Sequence, residues 1–76
     1  MDYDAELDAL GLLCPLPVLK ARKRMQALEA GQVLQVLADD PAAIVDVPHY
    51  CVEAGHELVD MRDMGAHQVY LLRKAG

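Results

Sequence analysis

Tryptophan and phenylalanine are both absent from this chain of 76 residues, which carries three tyrosines as its only aromatic side chains. A core without large rings has to be assembled from Leu, Val, Ile, Met and Ala, and just over half of the sequence is hydrophobic. That composition fits a globule and opposes disorder. Cysteine occurs twice, too rarely for the multi-bridge frameworks of small secreted proteins. No apolar run approaches the ~18 residues of a membrane span. The opening Met1-Asp2-Tyr3-Asp4-Ala5-Glu6 is acidic where a secretory leader would be basic. The expectation is a cytoplasmic protein with both thiols free and no membrane partner. Basic residues are also few, seven against twelve acids for a net charge of −5, which opposes direct nucleic-acid binding. At this length residues 1–76 form one domain that buries only ~60–65% of its unfolded surface, with little room for an enclosed substrate pocket.

What is present is a thiol followed by two prolines, Cys14-Pro15-Leu16-Pro17, running into a segment without glycine or further proline up to Leu28. Proline is tolerated in a first helical turn, where its missing N–H would have no intrahelical partner. The pattern predicts a helix from Pro15 to about Glu29 with Cys14 as its N-cap. A sulfur so placed faces the positive end of the helix dipole, which favours thiolate. With two donors deleted by proline, the N–H groups of Leu16 and Val18 are the ones expected to solvate it. The bland alternative is a small buried hydrophobe, but a core cysteine has no need of two prolines beside it.

The rest of the chain reads as β-α-β-α-β-β. Glu6 to Leu10 forms a short strand ended by Gly11, and Val18, Ala21, Met25 and Leu28 make the apolar stripe of the first helix, stopped by Gly31. Gln32 to Ala38 is an aliphatic strand, expected to be central. Asp40-Pro41 starts a second helix that reaches Ala54 and stops at Gly55, with Pro48 expected to kink or divide it. Its apolar side is Ile44, Val47 and Cys51. Glu57 to Arg62, with Val59 and Met61 on one side, and Gln68 to Arg73 pair as a hairpin through Asp63-Met64-Gly65-Ala66-His67. The simplest fold is α/β, a two-layer sandwich with a four-stranded mixed sheet and two helices on one face.

These positions resemble a known family. Leu7-Asp8, Gly11-Leu12, Cys14-Pro15-Leu16-Pro17-Val18, Lys20, Asp40-Pro41, Asp46-Val47-Pro48, Cys51 and Gly55-His56-Glu57-Leu58 are similar to the pattern of the TusA/SirA/YedF family of small sulfur-carrier proteins. The resemblance implies that Cys14 accepts sulfane sulfur as a persulfide and passes it on. It implies a donor protein, a cysteine desulfurase or a rhodanese-like protein, and an acceptor protein, with no cofactor. The family's routes include tRNA thiolation, molybdenum-cofactor enzyme maturation and sulfur oxidation. Several members carry a charge before the cysteine and an acid between the prolines, where this chain has Leu13 and Leu16. Those two leucines are read as the apolar part of a partner-docking surface, and Pro15 and Pro17 as the residues that position the thiol.

Four of the seven basic residues, Lys20, Arg22, Lys23 and Arg24, lie on the first helix. Most charge runs are solvated faces. On an otherwise acidic protein this one, through Lys20 and Lys23, is also suited to steering an acidic partner. Two other functions stay open: a thiol-disulfide oxidoreductase using Cys14 and Cys51, and a non-catalytic regulatory interaction module. Cys51 reads as core. His49 and His56 beside it lack the tight ligand spacing of a structural zinc site, so no metal is expected.

Overall fold

A computed structural model describes residues 2–76; Met1, part of the acidic opening, lies outside them. The elements are β1 (Ala5–Ala9), α1 (Leu16–Gln26), β2 (Val33–Ala38), α2 (Ala43–Ala54), β3 (Glu57–Asp63) and β4 (Gln68–Arg73). The sheet order is β1-β2-β4-β3, with β1 parallel to β2 and the other pairs antiparallel. β2 is internal, as its aliphatic run requires. The β1-α1-β2 unit brings the carboxyl ends of two parallel strands together, and the loops that leave those ends carry Cys14 and Asp40.

Alternation along the strands places Leu7 and Ala9, Leu34, Val36 and Ala38, and Tyr70 and Leu72 on one face. Ala21 and Met25 of α1 and Ala43, Val47 and Cys51 of α2 cover it, forming one core. Ala9 pairs with Ala38 across the sheet, and Ala21 and Ala43 are also fully buried. Small side chains at these four positions let both helices approach the sheet closely. Tyr70, buried, donates its hydroxyl to Gln68 Oε1 at 3.1 Å, so the one large ring of the core has its polar end satisfied.

Several expectations are corrected by the structure. α1 ends at Gln26, with Ala27 and Leu28 donating to Arg24 and Met25 carbonyls, so the last turn tightens before Gly31. α2 is continuous through Pro48. The carbonyl that proline leaves unmatched belongs to Ile44, which is exposed and can be hydrated. Exposure also removes Ile44 from the apolar stripe; Ala43 takes its place beside Val47 and Cys51. Asp40 does cap the turn leading into α2, since its Oδ1 accepts the Ala42 N–H at 3.1 Å, but regular helix begins only at Ala43. The Gly55 stop is as expected, left-handed at φ 77° with the His56 N–H reaching back to the Cys51 carbonyl at 2.9 Å. In β3 a register shift between Leu58 and Asp60 breaks the alternation, so Leu58, not Val59, shares the core-facing side with Met61.

Candidate functional site

The loop from Gly11 to Cys14 is tied to the end of β2 by two consecutive acids. Asp39 accepts the Gly11 N–H through both carboxylate oxygens, at 3.0 and 3.1 Å, and Asp40 Oδ2 accepts the Cys14 N–H at 2.6 Å. Gly11 takes φ 79°, which glycine adopts without strain. Downstream, Leu16 donates to the Leu13 carbonyl at 2.9 Å and Leu19 to the Pro15 carbonyl at 3.1 Å, so the two prolines sit in the turn that opens α1. Pro17 is buried and anchors that turn. Charge-assisted hydrogen bonds on one side and a buried ring on the other hold the cysteine backbone in a single position.

The N-cap of α1 is Pro15, not Cys14, and the Leu16 N–H is already occupied by Leu13. The sulfur turns instead to α2. Cys14 Sγ–H donates to Asp46 Oδ2 at 3.0 Å. The expected thiolate is therefore overturned: the hydrogen bond to Asp46 pushes the thiol pKa above its ordinary value, and desolvation and the charges of Asp46 and Asp40 add to it. Two full negative charges outweigh the roughly half charge of one helix terminus.

Cys14 is exposed, and Leu13 and Leu16 beside it are 69% and 45% exposed. Leu19, at 50%, extends the apolar rim one turn along α1, and Val45 on α2 adds to the exposed aliphatic surface. Lys20 and Lys23 are exposed on α1. Arg24 is committed elsewhere, donating to the Glu6 carbonyl at 2.6 Å. Beside the thiol an open groove of about 340 Å³ runs between α1 and α2, lined by Cys14, Val18, Arg22, His49, Tyr50 and Glu53 among others. Sequence reasoning expected little pocket. The groove is a furrow between two helices and requires no enlarged core.

Cys51 is buried in the core, and that burial pushes its thiol up to about 11. His49 pairs with Glu53 at 2.9 Å, and His56 Nδ1 accepts the Ala75 N–H at 2.9 Å. Burial and the nearby Lys74 lower the His56 pKa, in keeping with a neutral ring acting as acceptor. Among the described residues no three His, Cys, Asp or Glu side chains gather as a metal would need.

Asp46 is the residue that sequence reasoning missed. It lay within the matched stretch Asp46-Val47-Pro48, but nothing local tells an acid beside a buried valine from a solvated one. Its contact with Cys14 spans 32 positions.

The family model described as sulfurtransferase TusA matches residues 5–74. The chain belongs to this family. A relative named sulfur carrier protein TusA, from Allochromatium vinosum, is 42% identical over 74 residues, covering 97% of each chain. Among solved structures, the crystal structure of a SirA-like protein from Desulfitobacterium hafniense superposes with a TM-score of 0.83 at 25% identity, covering 96% of this chain and all of that one. Family membership and fold thus coincide over the segment that holds both the cysteine loop and the α2 acid.

Proposed function

We propose that this chain is a single-domain sulfur carrier whose working group is Cys14. The observation that carries the reading is an exposed thiol, clamped on a proline-rich loop, in a chain of the sulfurtransferase TusA family. Cys14 takes the outer sulfur of a donor protein's persulfide, holds it as Cys14–S–SH, and yields it to an acceptor thiol. The chemistry follows the rules of thiol-disulfide exchange: a thiolate attacks sulfur and a thiolate leaves. An open furrow suits transfer between proteins, since a partner's sulfur can reach Sγ without entering a cavity. The donor class that the family resemblance favours is a cysteine desulfurase or rhodanese-like protein.

Leu13 on the cysteine loop and Leu16 on α1, with Lys20 and Lys23 farther along that helix, are proposed as the docking surface for donor and acceptor. Exposed aliphatic side chains supply buried area on contact, and the lysines supply steering toward an acidic partner. No helix of the described residues is long and apolar enough to cross a membrane. The oxidoreductase reading gains no support, because its second thiol, Cys51, lies in the core.

The test is a relay with isotopically labelled sulfur. Incubation with a cysteine desulfurase and labelled cysteine, followed by an acceptor thiol protein, moves label through the wild-type chain. Cys14→Ser stops the transfer and Cys51→Ala leaves it running. Label passing through Cys14→Ser at the wild-type rate would remove Cys14 from the role.

A further inference from the structure

The hydrogen bond between Cys14 and Asp46 has a consequence for the carrier cycle. Asp46 stands in the first turn of α2, between buried Ala43 and Val47, and its N–H is held by the Ala42 carbonyl at 2.9 Å. Its backbone is therefore fixed. Its carboxylate Oδ2 lies 3.0 Å from Cys14 Sγ, and Asp40 holds the backbone N–H of the same cysteine. The other charged or titratable groups facing the thiol along the groove are Arg22 of α1 and His49, Tyr50 and Glu53 of α2.

We propose that Asp46 is a positioning residue that distinguishes the empty carrier from the loaded one, holding the empty thiol by its proton and repelling the persulfide that replaces it. The inference rests on the carrier function proposed above. In the empty state Sγ–H has an acceptor and the sulfur is drawn against α2. On loading, the Sγ proton passes to water as Sγ bonds to the outer sulfur of the donor, R–S–SH. The donor's S–S bond breaks, its inner sulfur leaves with the electron pair as R–S⁻, and R–S⁻ takes up a proton from water to become R–SH. One S–S bond forms as one breaks, so no external oxidant or reductant enters.

In the product, Cys14–S–SH, Sγ has no proton to donate. The terminal sulfur is more acidic than a thiol, and its anion lies beside two carboxylates. The cation lining the groove, Arg22, stands one helical turn beyond Val18. The loaded sulfur is thus turned away from Asp46, along the groove or outward, where an acceptor meets it. Asp46 makes the carrier a poorer store of sulfur and a better donor.

The experiment uses the full chain and two variants. Asp46→Asn preserves shape and a hydrogen-bond acceptor but removes the charge; Asp60→Asn removes the same charge on β3. The pH profile of Cys14 alkylation by iodoacetamide is followed on the Cys14 peptide, and the fraction loaded at equilibrium with inorganic polysulfide is measured by intact mass. Asp46→Asn is expected to move the alkylation profile to lower pH. At pH 7 its rate rises roughly threefold for every tenfold gain in the thiolate fraction, because that gain is partly offset by lower nucleophilicity. Its loaded fraction also rises, while Asp60→Asn matches the wild type in both. An unchanged alkylation profile in Asp46→Asn, or an equal displacement in Asp60→Asn, overturns the role of Asp46. A displaced profile with an unchanged loaded fraction overturns the repulsion of the loaded form. If wild-type Cys14 takes up no sulfur, the carrier function fails instead, and the alkylation profile still decides whether Asp46 holds the thiol.

Discussion

The two cysteines are chemically identical and are both kept protonated, by opposite means. Cys51 is almost wholly buried, and burial among Val47 and the core strands raises its pKa to about 11. Cys14 lies in the open, and one carboxylate on a neighbouring helix, assisted by a second, raises its pKa. The first condition can be lifted only by opening the fold. The second can be lifted by whatever neutralises or displaces Asp46. A reactive thiol need not rest as a thiolate; it needs a restraint that can be removed where the chemistry takes place.

The contrast is most easily broken by alkylation at pH 8. Cys14 should react in the native state and Cys51 only through opening, so their rates are expected to differ by a factor on the order of 10³ or more for a domain of ordinary stability. Comparable rates on the two cysteine-containing peptides would mean that Cys51 is not sequestered. Alkaline unfolding sharpens the same point. Cys51 at about 11 and Tyr70 at about 12 both lie above their ordinary values of 9.0 and 10.0, so across that range the folded state retains protons that the unfolded state loses. Stability should be level from about pH 7 to about pH 9 and then fall as pH rises through 12, by at most about 2–3 kcal/mol for each group. Urea titrations at pH 8, 10 and 12 with an unchanged midpoint would contradict this.

The smallest effect expected is on stability by substitution. Cys51→Ser places a hydroxyl in the core and should cost about 1–3 kcal/mol, whereas Cys14→Ser on the surface should leave the urea midpoint nearly unmoved. Equal urea midpoints for the two variants would erase the distinction.

Much of this arrangement was legible in the residues. The thiol with its alternating prolines, the internal aliphatic strand, the Gly55 stop and the burial of Cys51 each depend on a local pattern, and the structure retains them. What was hidden depends on contacts between distant parts of the chain. Asp40 read as a cap for α2, and it is one, but it also holds the Cys14 N–H from 26 positions away. Asp46 lies in the turn of α2 that packs beside the cysteine loop, and no periodicity reveals which loop a helix meets. The exchange of Ile44 for Ala43 is a matter of helical phase, since Val47 is three positions from one and four from the other. The thiolate expectation failed on magnitude: a helix terminus was weighed without the two full charges that tertiary packing sets against it.

Peptide-resolved mass spectrometry of the chain after exposure to a persulfide donor tests the central claim most directly. The account predicts a gain of one sulfur on the peptide containing Cys14 and none on that containing Cys51, lost again when an acceptor thiol is added. Sulfur on Cys51, or none on Cys14 under conditions that load other exposed protein thiols, would contradict it.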